Sequence, residues 1–179
     1  SSDQDPTVRA AGRSPSPALG DVTAVDAEPT RAGPSPTAPP AGLVAGRYRL
    51  LELLGRGGMG IVWKAWDSEL SRLVALKQIL AEGPEDGELV ERFMREARLA
   101  AKLRHPHVVA IHDVGVHEGQ HYFTADYIVG RTLDAVIAEG PIPMRQAVGW
   151  VKSIAEALAY AHEQGVIHRD VKPGNLLIG

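Results

Sequence analysis

Three polar side chains that could take part in one reaction lie close together near residue 170. Asp170, Lys172 and Asn175 fall in the run 166–178, with apolar residues on both sides. A carboxylate can orient a hydroxyl and accept its proton, an ammonium can neutralise a transferring phosphate, and an amide oxygen can bind a divalent cation. A polar surface turn would explain any one of them singly. Because it does not explain the ordered set, we predict phosphoryl transfer, with Asp170 as base and Asn175 as metal ligand.

A lysine and a glutamate form a second candidate pair. Lys77 lies in an otherwise apolar run that predicts a strand, and Glu96 lies inside the apolar stripe of a predicted helix. A buried ammonium is costly unless an anion compensates it. We therefore expect Lys77 and Glu96 to pair and to hold the ammonium ready for the phosphates of a nucleotide. The alternatives are a lysine that reaches water at a strand edge and a purely structural ion pair.

Four glycines, at 55, 57, 58 and 60, lie between two predicted strands. A dinucleotide-binding fingerprint needs a helix after its last glycine, but a strand pattern follows Gly60, and the lysine of a Walker A loop is missing. A glycine hairpin can bring backbone N–H groups close to phosphates. A plain tight hairpin is the alternative, since the glycines alone are a weak signal.

The remaining pattern predicts the elements that position these residues. A strand meander is followed by a helix that ends before Pro106, by two more strands and by two further helices, the second of which is capped by Gly165. The predicted strands are 48–54, 61–67, 73–79, 108–115 and 121–128, and the predicted helices are 88–103, 132–138 and 144–164.

Composition excludes several classes of function. The 179 residues include no cysteine, so disulfides and thiolate metal sites are ruled out, and the net charge of −3 gives no reason to expect a nucleic-acid partner. No uncharged apolar stretch reaches the length of about 18 residues that a membrane span needs. Five histidines between residues 105 and 121 fit no standard zinc spacing, so we expect no metal site there.

Residues 1–44 differ from the rest of the chain. They hold 8 of the 13 prolines and none of the nine aromatic residues. Such a segment cannot bury enough apolar surface to offset the entropy of ordering it, so we predict a disordered arm.

Four motifs, in order, give the chain its resemblance to a known family. They are Leu54 to Val62 with the glycines, Val74-Ala75-Leu76-Lys77, Arg92 to Ala97 around Glu96, and His168-Arg169-Asp170 through Asn175. Over residues 46–179 the sequence resembles the eukaryotic-like serine/threonine protein kinases of bacteria.

The resemblance implies an α+β, protein-kinase-like fold. Its small lobe would have five antiparallel strands and helix αC, over about 45–128 including the hinge, and 129–179 would begin a helical large lobe. The implied reaction is transfer of the ATP γ-phosphate, with Mg²⁺ or Mn²⁺, to Ser or Thr hydroxyls of proteins. The backbone of Asp126 and Ile128 would bind the adenine edge. Leu54, Val62, Ala75 and Leu177 would enclose the ring.

Other implications concern regulation and surroundings. Ala125 takes the gatekeeper position, where a small side chain should open a back pocket to bulky adenine analogues. Arg169 suggests control by a phosphorylated activation loop. The resemblance also allows a dimer through the small lobe and a cytoplasmic kinase domain, with membrane anchoring encoded downstream.

The Asp-Phe-Gly motif that follows the catalytic loop in this family is not in the 179 residues. Its aspartate holds the metal that bridges the phosphates, so we expect polypeptide 1–179 alone to be inactive. The competing interpretation is a truncated, non-catalytic nucleotide-binding or interaction module.

Overall fold

The structure is a computed structural model, and it describes residues 42–57, 60–80 and 87–179. Most of the predicted arm therefore lies outside the described residues. The elements, in chain order, are β1 (Leu43–Val44), β2 (Tyr48–Gly57), β3 (Gly60–Asp67), β4 (Arg72–Ile79), α1 (Gly87–Ala100), β5 (Ile111–His117), β6 (Gln120–Asp126), β7 (Arg131–Thr132), α2 (Leu133–Ala138), α3 (Met144–Glu163), a 3-10 turn (Pro173–Asn175) and β8 (Leu177–Ile178).

One antiparallel sheet holds six of the strands, in the order β1-β2-β3-β4-β6-β5. The five longer strands are those that the sequence predicts. The sixth, β1, pairs Val44 with Tyr48 and lies inside the segment assigned to the arm. A run of two residues has no periodicity, so sequence patterning cannot detect it.

Alternating burial along β3 from Ile61 to Asp67 shows the two faces of the sheet. In β3 the buried residues are Ile61, Trp63, Ala65 and Asp67, while Val62, Lys64 and Trp66 are half-buried. The first apolar core cluster lies on the Trp63 face, where Trp63, Val74 and Leu76 pack with Tyr48 and Tyr122. Because successive side chains of a strand point to opposite faces, Val62, Ala75 and Lys77 share the other face.

Helix α1 covers part of that second face. Phe93 stacks on Phe123, with ring centroids 5.3 Å apart, and Ala97 and Ala100 belong to the same buried cluster as Ile79 and Ala125. The helix therefore rests on the part of the sheet formed by β5 and β6, with Ile79 of β4, while Val62 and Ala75, beyond its cover, are only half-buried.

Helix α3 and the segment after it form the start of a second layer. Gly165 has φ +77°, and the N–H of Val166 donates to the carbonyl of Ala161, which is the helix end predicted from the sequence. Leu103, Ala161 and Val166 make a third buried cluster, which joins α3 to the connection after α1.

A buried carboxylate closes the turn between β3 and β4. Asp67 is 1% exposed and receives two hydrogen bonds of 2.7 Å from the Arg47 guanidinium, together with the N–H groups of Glu69 and Leu70. The hydrogen bond from Arg47, helped by the backbone donors, lowers the pKa of Asp67 to about 2. The pair fixes the entry to β2 against the end of the neighbouring strand β3, where Asp67 is the ladder partner of Tyr48.

Several boundaries differ from those expected. Helix α1 ends at Ala100 rather than 103, and β5 starts at Ile111 rather than 108, because residues 101–108 form turns, one of them closed by the Val108 N–H on the His105 carbonyl. Strand β6 ends at Asp126, so Ile128 is not part of the sheet.

Candidate functional site

Four strands present one row of residues to the half-open face of the sheet. Gly55 pairs with Val62, Val62 with Lys77, and Lys77 with Phe123, so these positions form a line across β2, β3, β4 and β6. Ala75 is two residues before Lys77 and pairs with Ala125. The predicted ring-enclosing residues Val62 and Ala75 are thus brought beside the predicted phosphate-binding lysine.

Lys77 is 5% exposed, which is unusual for a lysine. Its Nζ lies 5.7 Å from the centroid of the Phe93 ring on α1, a distance at which a cation and an aromatic face attract each other. Burial on the central strand of the sheet removes the strand-edge alternative, since β4 is flanked by β3 and β6.

The carboxylate of Glu96 lies between α1 and the catalytic loop. Its Oε1 is 3.5 Å from Nη1 of Arg169, and its side chain is 17% exposed. The sequence predicts Lys77 as the partner of Glu96, and that pairing stays a prediction. The sequence does not predict the contact between Glu96 and Arg169, because residue types alone do not show which cation a carboxylate will contact.

The 166–178 run folds so that its three polar side chains meet. Nδ2 of Asn175 donates to the carbonyl oxygen of Asp170 at 2.8 Å and to Oδ2 of its carboxylate at 2.9 Å. Nζ of Lys172 lies 3.4 Å from the same Oδ2. Asn175 is 4% exposed and sits in the 3-10 turn, which points it back toward Asp170. The predicted trio is therefore one cluster.

His168 supports this loop from its backbone side. Its Nδ1 accepts the N–H of Asp170 at 3.3 Å, and burial lowers the pKa of its imidazole below the usual range. A neutral imidazole that accepts this backbone hydrogen bond helps to hold the loop in shape. Between them, Arg169 has φ +66°, a left-handed conformation that turns the chain sharply at this point.

The segment 125–128 connects the sheet to the second layer. Ala125 is 1% exposed at the end of β6, and Asp126 donates its N–H to the Ala110 carbonyl at 3.0 Å. Ile128 is 36% exposed. The half-buried Tyr127 between them lies under Nζ of Lys64, 5.0 Å from the ring centroid.

A two-stranded ladder that the sequence does not predict ties this segment to the catalytic loop. Arg131 pairs with Ile178 and Thr132 with Leu177, and the Leu133 N–H donates to the Leu176 carbonyl at 2.7 Å. The half-buried Leu177 is thereby fixed next to the chain that leaves residue 128.

Gly130 is a site residue that the sequence reasoning missed. A Cβ added at Gly130 would lie 2.9 Å from the carbonyl carbon of Ile178 and 3.0 Å from Cα of Gly179. Only glycine allows the two chains to approach so closely. The sequence signal that could have identified Gly130 is its position two residues before Thr132. Thr132 is the N-cap of α2, and its hydroxyl accepts the Ala135 N–H.

The glycine turn is described only in part. Gly57 and Gly60 are ladder partners at the end of the β2–β3 hairpin, and Gly55 and Leu54 are half-buried in β2. The predicted site residue Gly58 lies outside the described residues.

Oxygen donors suited to a hard cation are present at the catalytic loop. The Asp170 carboxylate and the Asn175 amide group adjoin each other, and such oxygens are the ligands that Mg²⁺ prefers. Across the described parts of the chain, no cluster of three or more His, Cys, Asp or Glu side chains could hold a metal ion. The site therefore fits Mg²⁺ bound through few protein ligands and through substrate phosphates.

A cavity of about 590 Å³ lies behind the catalytic loop, between α3 and residues 106–111. Its lining includes Asp126, Ile128, Asn175 and Leu177, together with apolar side chains of α3 such as Trp150 and Ile154. It does not contain Val62, Ala75 or Lys77, so it is distinct from the half-open face of the sheet. Within the ranges that the structure covers, no helix has both the length and the apolar character required to cross a bilayer.

Comparison with known proteins agrees with this geometry. The model of the protein kinase domain matches residues 48–179. The serine/threonine-protein kinase PrkC of Bacillus subtilis is 39% identical over 136 residues, which cover 75% of this chain and 21% of PrkC. PknH of Mycobacterium tuberculosis, also a serine/threonine-protein kinase, is 46% identical over 138 residues, which cover 76% of this chain and 22% of PknH.

A solved structure shows the same fold. The crystal structure of the M. tuberculosis PknI kinase domain matches with a TM-score of 0.67 and 34% identity, covering 75% of this chain and 55% of that domain. The chain thus spans about half of that kinase domain and about a fifth of the two curated relatives. These matches confirm the predicted protein-kinase-like α+β fold. The chain belongs to the protein kinase family, and within it to the bacterial eukaryotic-like serine/threonine kinases.

Proposed function

We propose that the protein to which this segment belongs transfers the γ-phosphate of ATP to Ser or Thr hydroxyls of other proteins. The observation that carries the proposal is the cluster of Asp170, Lys172 and Asn175 within hydrogen-bonding or ion-pair distance of one carboxylate oxygen. The names of the relatives support the same reaction, since each is a serine/threonine-protein kinase.

Each member of the cluster has a role that its geometry supports. The Asp170 carboxylate orients the attacking hydroxyl and accepts its proton. Lys172, already within 3.4 Å of that carboxylate, neutralises charge on the phosphoryl group as it moves to the hydroxyl. Asn175 holds the carboxylate through its amide nitrogen. Because it contacts both the backbone and the side chain of Asp170, it keeps the base in one orientation.

The sheet face supports nucleotide binding. Val62 and Ala75 form the upper wall for the adenine ring, and Lys77, on the same face, reaches the phosphates. The N–H of Asp126 already donates to Ala110, so an adenine contact by Asp126 would use its carbonyl, which accepts from the 6-amino group. Ile128 would supply the second backbone contact, with Leu177 below the ring and Leu54 at the entrance.

Mg²⁺ or Mn²⁺ would supply charge neutralisation at the phosphates when bound. The residues that would hold the cation are Asn175, through its amide oxygen, and phosphate oxygens of the nucleotide. We also propose the division into a small lobe with hinge at 45–128 and a large lobe that begins at 129, and a dimer through the small lobe as its assembly.

The first test is binding of a fluorescent ATP analogue to polypeptide 1–179, with and without Mg²⁺. We expect saturable binding that ATP displaces, and at least tenfold weaker binding by Lys77→Met, because that variant loses the phosphate-facing cation. A matched control is Lys152→Met, since Lys152 is an exposed residue of α3 paired with Glu156. Equal affinities of the Lys77→Met and Lys152→Met variants would refute the role of Lys77.

The second test separates catalysis from binding. In a protein that carries this segment with an Asp-Phe-Gly motif, Asp170→Asn should lower kcat by at least a hundredfold and leave the affinity for ATP within about threefold. Retained nucleotide affinity with no phosphate transfer in the unmodified protein would instead favour the non-catalytic binding module.

A further inference from the structure

The ladder between β5 and β6 contains one irregularity, and it falls at His112. Ile111 pairs with Ala125 and Asp113 pairs with Thr124, so one residue of β5 has no opposite residue in β6. A bulge of this kind re-aims the side chain of the extra residue, and bulges are frequent next to active sites. Here the re-aimed side chain is an imidazole.

The His112 imidazole reaches the first residue of the hinge. Its Nε2 is 2.7 Å from Oδ1 of Asp126, and the other carboxylate oxygen, Oδ2, accepts the Ala110 N–H at 3.3 Å. The backbone N–H of Asp126 donates to the Ala110 carbonyl at 3.0 Å. Asp126 is thus fixed at its side chain and at its backbone to one short stretch of chain, residues 110–112.

These contacts matter because of where β6 ends. Asp126 is the last residue of the strand, and beyond it the sheet no longer fixes the backbone. The peptide group that follows Asp126 carries the carbonyl assigned to the adenine 6-amino group. An anchored carboxylate on the same residue limits rotation about that peptide group.

We propose that His112 is a positioning residue for adenine recognition: through the carboxylate of Asp126 it orients the hinge carbonyl that accepts the 6-amino group of ATP. This inference rests on the proposed function, since it takes ATP as the ligand of the hinge. His112 itself touches no part of the nucleotide in this proposal.

The test compares two nucleotides in one binding assay on a protein that carries this segment with an Asp-Phe-Gly motif. One is ATP, and the other is purine riboside triphosphate, which lacks the 6-amino group but keeps the rest of the ring. We expect His112→Leu to weaken ATP binding about fivefold, since a hydrogen bond to a charged group is lost at a site that solvent reaches. Binding of purine riboside triphosphate should change less than twofold.

Two further variants sharpen the comparison. His112→Gln keeps a side-chain N–H donor and should recover at least half of the lost ATP affinity. His117→Leu, at the far end of the same strand, is the matched control and should bind both nucleotides like the unmodified chain. In an Asp126→Ala background, which leaves His112 no carboxylate to contact, His112→Leu should have less than a twofold further effect on ATP.

The outcomes separate the two claims. If the unmodified protein that carries this segment with an Asp-Phe-Gly motif binds neither nucleotide, the proposed function is overturned and this inference falls with it. If the unmodified chain binds ATP but His112→Leu weakens both nucleotides equally, His112 serves the fold alone and the inference is wrong. Unchanged ATP affinity in His112→Leu refutes it as well.

Discussion

Replacing Gly130 by alanine tests how closely the chain at residue 130 approaches Ile178 and Gly179, which follow the catalytic loop. The new Cβ would lie 2.9 Å from the Ile178 carbonyl carbon, whereas carbon atoms usually approach to about 3.5–4.0 Å. One chain must move by about 0.6–1.1 Å. The neighbouring backbone bond, from the Leu133 N–H to the Leu176 carbonyl, is 2.7 Å long and cannot absorb such a shift without weakening.

Overpacking of this kind costs about 1–3 kcal/mol. For a chain of this size, about 2 kcal/mol lowers the melting temperature by about 4–8 °C. The same shift moves Leu177 away from the hinge, so we expect weaker binding of a fluorescent ATP analogue as well. Thermal unfolding followed by circular dichroism, with and without nucleotide, measures both effects.

Gly149→Ala is the matched control, because the same chemical change should have the opposite sign there. Gly149 lies inside α3, and an added Cβ would meet no atom within 4 Å. Alanine at an exposed helix interior is favoured over glycine by about 0.5–1 kcal/mol, so the melting temperature should rise by about 1–4 °C. If Gly130→Ala is as stable as Gly149→Ala, the close approach described for residues 130 and 178 is wrong.

Two other predictions concern the sheet. Because the pKa of Asp67 is about 2 rather than its usual 3.8, its pair with Arg47 contributes about 2 kcal/mol of stability above pH 4, which is lost as the pH falls toward 2. In urea unfolding experiments, the Asp67→Asn variant should be less stable than the unmodified chain at pH 7, and its stability should no longer fall between pH 4 and pH 2. An unchanged dependence of stability on pH would contradict the assignment. Ala125 is buried at the position that the family resemblance assigns to the gatekeeper, so Ala125→Met should make binding of the fluorescent ATP analogue resistant to competition by bulky adenine analogues. Equal inhibition of the variant and the unmodified protein in a competition assay would refute a back pocket at this position.

The catalytic loop is the part of the site that the sequence predicts best. Asp170, Lys172 and Asn175 lie within six positions of one another, so their meeting depends on one local turn after a helix that Gly165 ends. Local spacing and a cap are enough to place such a cluster. The buried Lys77 is predictable for a related reason, since an alternating apolar strand fixes its face.

Apart from the short strand β1, the parts that sequence reasoning missed join positions that are distant in the sequence. Strands β7 and β8 have two residues each, so neither is long enough to show the alternation of apolar and polar residues that marks a strand. Their pairing depends on α3, which lies between them in the sequence and brings residues 177 and 178 back to residues 131 and 132. The contacts of Glu96 with Arg169 and of Asp126 with His112 are each one of several pairings that the charges in the sequence allow. That choice is made by tertiary packing and, for His112, by a bulge that no residue type signals.

The β7–β8 ladder also bears on the order in which the chain folds. Its partners are roughly fifty residues apart, and closing a flexible loop of that length costs entropy that two short strands cannot repay. Helix α3 lies within the loop, and once formed it shortens the flexible length that must be closed. We therefore expect the local hairpins β2–β3, β3–β4 and β5–β6 to form first, and the register of the catalytic loop to be set only after α3 is helical.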